Sequence, residues 1–450
     1  MGKPVPSGSK AKESRSMLLN IGPSHPAMHG IVRIIAELDG EQVLGADVEI
    51  GYLHRAFEKM CEQGPYNNAI PYTDRLNYVS PLINNVGYCM AVEKLMGVRP
   101  TERAEFIRVI MCELSRLTDH LTCVGASAME LGAFTVFLYM IKAREFLYEL
   151  IEDVTGARLT ISFARVGGLK ADLPDGFEVK TLKAIEDTRK VLKEVELLLN
   201  KNRIFIDRMK DTGNISSEDA LAYGITGPFL RSTGVDLDVR KAQPYSAYDQ
   251  FEFDIPVGEH GDNLDRYYVR MEEMAQSMRI IEQAIAKLPK GGIMVDHQNR
   301  VMPASVMVDE AKMGRTCGNK AFAVEADPTL EGSNSAAHGN VYAKEKTVSL
   351  PAKEDTYGNI EGLMNHFKLV MHGHGIRPPK GEAYSAVEGA NGELGFFVVS
   401  DGTDRPYRVR VRPPCFPIVA ALPKIIVGEM VADIVPSFGS VNMIGGELDH

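Results

Sequence analysis

The feature that most constrains this chain is a run of apolar residues at three- and four-residue steps: Phe106, Val109, Ile110, Leu114, Leu117, Leu121 and Val124. That spacing predicts one long amphipathic helix, because positions three and four apart lie on one face. Tyr72–Leu95 before it and Phe134–Val154 after it are apolar nearly all round, the pattern of helices expected to be buried. Three such segments in succession can hide their surfaces only against one another, so the centre of the chain reads as a helical bundle. Leu182, Ile185, Leu192, Val195 and Leu199 mark another helix, whose outer face carries Glu186 and Lys190 at the solvated i,i+4 spacing. A further helix runs through Tyr267, Met271, Met274, Met278, Ile281, Ile285 and Leu288 and stops at Pro289 and Gly291.

The two ends have a different period. Met17–Ile21, Val32–Leu38 and Glu41–Ile50 read as strands, the last two joined at Asp39-Gly40, a dipeptide favoured in two-residue hairpin turns. Between the first two lies Gly22-Pro-Ser-His-Pro-Ala-Met-His-Gly30, where two prolines and two glycines predict a fixed irregular loop. Near the other end, Tyr384–Glu388, Leu394–Ser400 and Tyr407–Val411 are separated by Asn391-Gly392 and Asp401-Gly402 and read as a small antiparallel meander. The fold class is therefore α+β, mainly α. The expected organisation is a disordered tail over 1–16, a β-rich region over 17–71, a helical core over 72–310, an irregular insertion over 311–359, and a C-terminal α/β region over 360–450 that begins with a short helix at Ile360–Met371.

Composition removes several function classes. A net charge of −10, from 50 Lys+Arg against 60 Asp+Glu, leaves no basic surplus for a broad nucleic-acid face. The best apolar runs, Ala133–Ile141 and Phe416–Val427, fall short of the roughly 20 residues a spanning helix needs. The polar residues 1–16 lack the apolar core of a signal peptide, which predicts a cytoplasmic chain. Six cysteines, at positions 61, 89, 112, 123, 317 and 415, form no Cys-x-x-Cys pair, so neither a disulfide framework nor a locally built zinc or iron–sulfur site is expected; they read as small buried hydrophobes.

The chemical motifs are sparse when taken alone. His25 and His29 are four apart, as zinc motifs on helices are, but Pro26 and the flanking glycines argue against helix. A loop histidine that hydrogen-bonds a ligand suits imidazole chemistry, although a structural histidine is the commoner occupant of such a position. Arg165-Val166-Gly167-Gly168 and Gly291-Gly292 lack the spacing of a phosphate-cradling loop, and no Gly-x-Ser-x-Gly nucleophile elbow is present. The 21 methionines are core fillers first, and also suit the walls of a long lipophilic site.

Longer stretches of sequence carry a resemblance. Gly22–Gly30, Gly51-Tyr-Leu-His-Arg55, Glu58-Lys59, Tyr72-Thr-Asp-Arg-Leu-Asn-Tyr78, Ala91-Val-Glu-Lys-Leu95, Glu113-Leu-Ser-Arg116 and Arg165-Val-Gly-Gly168 resemble, in order, the motifs of the 49 kDa (D) subunit family of respiratory complex I, NADH:quinone oxidoreductase. Asp219-Ala220, Arg240-Lys-Ala-Gln-Pro-Tyr245, Tyr248–Asp254, Asp265-Arg-Tyr267, His366-Phe-Lys368, Ser400-Asp-Gly402 and Arg405-Pro-Tyr407 continue it, so the likeness covers residues 17–450. That family is related to the large subunit of nickel–iron hydrogenases, which implies a similar fold. The hydrogenase metal is held by two Cys-x-x-Cys pairs; here Cys61 stands alone and Ser440–His450 contains no cysteine, so hydrogen activation is not expected.

The resemblance implies a quinone-binding and reduction site next to a [4Fe–4S] cluster carried by a partner subunit, with His29 and Tyr78 as the headgroup contacts. It implies that Glu130, in Ala128-Met-Glu-Leu-Gly-Ala133, stands where the family usually has aspartate and orients His29, and that Arg55 lies near the partner's cluster. These make His29, Tyr78 and Glu130 the expected catalytic residues; this chain itself would hold no metal. Asn442 and His450 also depart from the family's usual aspartate and arginine.

The implied partners are the cluster-bearing subunit, a β-rich subunit of the peripheral arm and membrane-arm subunits, with the chain held at the cytoplasmic face of a bacterial inner membrane. The implied activity is that of one subunit of a proton-translocating NADH:quinone oxidoreductase. Two alternatives stay open on the sequence: the equivalent subunit of a complex fed by ferredoxin or reduced deazaflavin, and a non-catalytic scaffold.

Overall fold

A computed structural model describes residues 16–295, 348, 350–351, 353–371 and 373–450. The N-terminal sheet is an antiparallel three-strand meander of β1 (Met17–Ile21), β2 (Arg33–Asp39) and β3 (Gln42–Glu49). Its hairpin pairs Asp39 with Gln42, so the two turn residues are Gly40 and Glu41, one place later than the sequence pattern placed them. Gly40 takes φ +65° at the first turn position, a conformation glycine enters without a Cβ clash.

Helices α1 (Phe57–Gln63), α2 (Tyr66–Thr73), α3 (Pro81–Met96), α4 (Glu102–Glu130) and α5 (Phe134–Thr155) follow. The continuous helix expected from Tyr72 to Leu95 is in fact two, parted at residues 74–80. The side chains of Asn77 and Asp74 turn inward to bond backbone and neighbouring groups, which competes with helical hydrogen bonding, and Pro81 then starts α3 at its first turn. The short ribbon of β4 (Ala164–Arg165) and β5 (Gly168–Leu169) leads to α6 (Phe177–Leu199), α7 (Arg203–Met209), α8 (Ser217–Tyr223), α9 (Gly227–Arg231), α10 (Val239–Ala242) and α11 (Asn263–Ala286). Glu186 and Lys190 on α6 form the expected ion pair at 3.0 Å, while Leu182, read as an inward residue, is 45% exposed.

Most of the expected 311–359 insertion, and the 1–15 stretch of the expected tail, lie outside the described residues. The end of the insertion is helical, as α12 (Lys353–Gly358), followed by α13 (Ile360–Val370). A second antiparallel meander, β6 (Gly381–Glu388), β7 (Glu393–Ser400) and β8 (Arg408–Arg412), precedes α14 (Cys415–Ile426), α15 (Ile434–Val441) and α16 (Gly445–Leu448).

Two apolar cores result. The larger joins α3, α4, α5, α6 and α11, and the meander β6–β8 closes it against α3. The smaller joins the N-terminal sheet to α14–α16, with Val43 Nα donating to Glu429 O at 2.9 Å and Gly428 Nα donating to Val43 O at 2.8 Å. The last residues of the chain are thereby brought beside the first strands, and α15 lies along α4 at the join.

Burial differs from the pattern in two helices. On α4 the polar side is buried too: Glu113, Arg116, Asp119 and His120 are all 0% exposed. Glu113, Arg116 and His120 enter an ionic network in which Arg116 and Arg240 pair with Glu113, Arg240 pairs with Asp238, Arg231 pairs with Glu273 and Glu388, and His120 meets Glu273 at 2.8 Å. Charges removed from water in this way need partners close at hand, and each member of this network has one. On α5, expected to be buried all round, Phe134 and Leu138 are 54% and 53% exposed.

Candidate functional site

His29 sits at the end of the 22–30 loop. Pro26–Met28 form a single 3₁₀ turn, capped when His25 Nδ1 accepts from Ala27 Nα at 3.2 Å. His25 thus serves the turn, and the two histidines do not act as a pair. His29 itself adopts φ +53°, a left-handed conformation uncommon for a residue with a Cβ, and its side chain is 45% exposed. Its Nε2 stands 3.5 Å from Glu130 Oε1, and its ring meets Phe438 edge-on with centroids 6.3 Å apart.

Glu130 closes the C-terminal end of α4, and its side chain is only 8% exposed. Burial pushes its carboxyl above the usual carboxylate range, against the opposing pull of His29. Its second oxygen, Oε2, is buried without a hydrogen-bond partner. Gly439 of α15 lies directly against that oxygen, and a Cβ added there would overlap it. Ser127 Oγ donates to Gly439 O at 2.8 Å and holds the two helices together.

Tyr78 projects from the 74–80 break, with 41% of its surface exposed. The backbone on either side is locked. Asn77 Oδ1 accepts from Val79 Nα and Ser80 Nα, Asn84 Nδ2 donates to Asn77 O at 2.9 Å, and Thr118 Oγ1 donates to Val79 O. Below the loop is Asp119 of α4, fully buried. It accepts from Asn77 Nδ2 at 2.9 Å, from Ser80 Oγ at 2.7 Å and from Asn442 Nδ2 at 2.8 Å. Partial burial pushes the Tyr78 phenol above its ordinary range, and the Asp119 carboxylate adds to that. A phenol so placed stays protonated and available as a donor.

His29 and Tyr78 come from different segments, and α4 relates them. Glu130, which meets His29, and Asp119, which underlies Tyr78, are eleven residues apart on one helix. Eleven residues are three turns, so both point from the same face about 16 Å apart along the axis. Segment 438–442 bridges that span, with Phe438 at His29, Gly439 at Glu130 and Asn442 at Asp119.

Arg55 is exposed at the edge, its guanidinium donating to Arg75 O at 2.8 Å. The C-terminal turn is tied nearby: Asp449 accepts from Gly51 Nα and Leu53 Nα, and His450 lies 3.9 Å from Glu58. Cys61, Cys89, Cys112, Cys123 and Cys415 are buried and free, while Cys317 lies outside the described residues. Among the described residues no group of three or more His, Cys, Asp or Glu side chains could hold a metal ion. Nor is any helix there long and apolar enough to cross a membrane.

Comparison with known proteins bears on what this surface belongs to. The profile of the family described as respiratory-chain NADH dehydrogenase, 49 kDa subunit, matches residues 130–325 and 330–450. The chain belongs to the 49 kDa subunit family. It is 49% identical over 438 residues to the D-type subunit of NADH-quinone oxidoreductase from Myxococcus xanthus, covering 97% of this chain and 94% of that one. A D-type subunit from Sorangium cellulosum is 50% identical over 437 residues, 97% of this chain and 96% of the other. The C/D subunit of NADH-quinone oxidoreductase from Bdellovibrio bacteriovorus is 48% identical over 432 residues, 96% of this chain and 68% of the longer protein. Members of the 49 kDa family thus match this chain nearly end to end.

Sequence reasoning did not single out Asp119 or Gly439. Asp119 had a signal, a carboxylate within an otherwise well-packed helix. Gly439 had none, since only the approach of α15 to α4 makes its missing Cβ matter.

Proposed function

We propose that the chain, as the D-type subunit of an NADH:quinone oxidoreductase, forms most of a quinone-reduction site with His29 and Tyr78 as the two headgroup contacts. The observation that carries this reading is chemical: two half-exposed hydrogen-bond donors, each backed by a buried carboxylate, front a chain of the 49 kDa family. A quinone takes up two electrons and two protons to become a quinol. The electrons would come from a [4Fe–4S] cluster on a partner subunit, and the protein's part is to hold the ring and supply protons at its oxygens.

Imidazole and phenol suit opposite carbonyls of a planar ring. Tyr78 Oη–H donates to one carbonyl, and its proton is the one that a developing quinolate oxygen would draw. His29 donates from a ring nitrogen to the other. Glu130 lies behind it, 3.5 Å from Nε2, and orients the ring toward the quinone oxygen. Exposed cationic Arg55 would favour the reduced state of the partner's cluster. The cluster-bearing subunit, a β-rich peripheral-arm subunit and membrane-arm subunits complete the assembly, at the cytoplasmic face of a bacterial inner membrane, where turnover is coupled to proton translocation.

A second reading, a sister complex with another electron input, differs in the partners alone. Purification of the chain with its native partners and assay of quinone reduction with NADH, beside a His29→Ala complex, tests both. NADH-driven turnover that collapses in the variant supports the proposal. Turnover with reduced ferredoxin or deazaflavin in place of NADH moves the chain to the sister complex, and unchanged turnover in the variant removes His29 from the site.

A further inference from the structure

We propose that Asp119 and Asn442 are a carboxylate–amide pair that positions Tyr78 for the quinone; the proposal rests on the function proposed above. Asp119 is surrounded by donors only. Two of them, Asn77 Nδ2 and Ser80 Oγ, flank Tyr78 in the chain, and the third is Asn442 Nδ2. A single buried carboxylate therefore ties the loop that carries Tyr78 to α4 and to the C-terminal turn at once.

The geometry favours an amide at 442. Aspartate at 442 would bring a second carboxylate to within hydrogen-bond distance of Asp119, and two such groups cannot both ionise in a buried site. An amide at 442 donates to Asp119 instead. It also contacts the Asn391 side-chain oxygen, and Asn391 Nδ2 in turn lies 3.4 Å from Cys415 Sγ. Asn442 takes φ +55°, a left-handed conformation that asparagine and aspartate tolerate better than most residues, so either could stand there sterically. The joint thus needs one carboxylate and one amide, and in this chain the carboxylate is on α4.

The same arrangement sets the electrostatics under the phenol. The groups facing Tyr78 are Asp119 from α4 and Cys415 from α14, with Glu447 behind, its Oε1 accepting from Cys415 Nα at 3.0 Å. Burial raises the Tyr78 phenol first and the Asp119 carboxylate adds to it, while Cys415 is itself held neutral by burial.

The test is a double-mutant cycle in the assembled complex: Asp119→Asn, Asn442→Asp and the two together. Quinone kcat and KM, the alkaline limb of the pH profile and reduction of an artificial acceptor that bypasses the quinone are measured for each. Each single variant should lower quinone kcat by about fivefold or more with the artificial-acceptor rate retained, and the double variant should return to within about twofold of the parent, since paired residues couple. Asp119→Asn should also move the alkaline limb to lower pH. If a single variant fails to assemble, recovery of assembled complex by the double variant is the readout. Losses that simply multiply, or an unmoved alkaline limb, overturn the pair. Tyr78→Phe run beside them separates the two claims: full quinone reduction there overturns the site itself, whereas a lost rate there with multiplying losses in the cycle overturns the pair alone.

Discussion

Glu130 holds its carboxylate 3.5 Å from the His29 imidazole with one oxygen turned to the ring and the other buried and unpartnered. Burial opposes the charge of a carboxylate in that position and raises its pKa, and the facing imidazole works against that rise. The pair therefore exists above the raised pKa of Glu130 and is lost as pH falls through it.

Replacement of Glu130 by Gln removes that titration. Quinone turnover of the assembled complex should fall at neutral pH, and its acid limb should flatten relative to the parent. Glu130→Asp keeps the charge one methylene further back and should retain more activity than Gln. A pH profile of kcat for the three forms checks this, and equal profiles for Gln and Glu would contradict it.

Gly439→Ala tests the same pair without touching either member. The new Cβ would overlap Glu130 Oε2, so the carboxylate or α15 must shift. Overpacking of this kind costs about 1–3 kcal/mol. The expected outcome is a fall in quinone kcat of about tenfold with an unchanged rate to an artificial acceptor. Gly358→Ala, also at a helical glycine without positive φ but where a Cβ meets nothing within 4 Å, controls for the added methyl group.

Glu447 gives the fold a pH dependence of its own. Burial pushes its carboxyl up to about 7 from 4.5, so the folded chain holds a proton that the unfolded chain releases. Its contribution to stability is therefore greatest at low pH and falls as pH rises from about 4.5 to 7, by on the order of 3 kcal/mol. Glu447→Gln keeps an acceptor for Cys415 Nα and abolishes the titration. The temperature of half-inactivation of the complex should fall less between pH 5 and pH 8 in the variant than in the parent.

The ionic network beside α4 predicts a structural loss. Arg231 is 0% exposed and pairs with Glu273 and Glu388, so Arg231→Met leaves buried carboxylates unneutralised. Breaking such a pair costs about 3–5 kcal/mol. The yield of assembled complex should drop sharply, and a variant that assembles normally would show the network to be relaxed by other means.

The outline of the molecule was legible because its long elements repeat strongly. Seven apolar residues at helical spacing located α4, and alternation with Asn-Gly and Asp-Gly turns located the β6–β8 meander. The finer errors share a cause, side chains whose partners are distant in sequence. The break before α3 depends on Asn77 and Ser80 reaching Asp119, about forty positions on, which local periodicity treats as one helix. The polar face of α4 looked solvated because Arg231, Arg240 and Glu273, which bury it, come more than a hundred residues later. Exposure of Phe134 and Leu138 could not be seen either, since an apolar surface left open reads the same as one that is packed. Within the site, His29, Tyr78, Glu130 and Arg55 were reached through motif likeness. The partners of Asp119 emerge only when the 74–80 loop and the C-terminal turn are laid against α4.

The central claim is that Tyr78 and His29 take the quinone headgroup, and the most direct measurement is a split of kcat and KM for a short-chain quinone in complexes carrying Tyr78→Phe and His29→Ala. Reduction of an artificial acceptor by NADH serves as the internal reference. The account predicts a large loss of kcat/KM for the quinone in both variants, with Tyr78→Phe losing kcat, and a reference rate that does not move. Parental quinone kinetics in either variant, in a complex whose reference rate is intact, would contradict it.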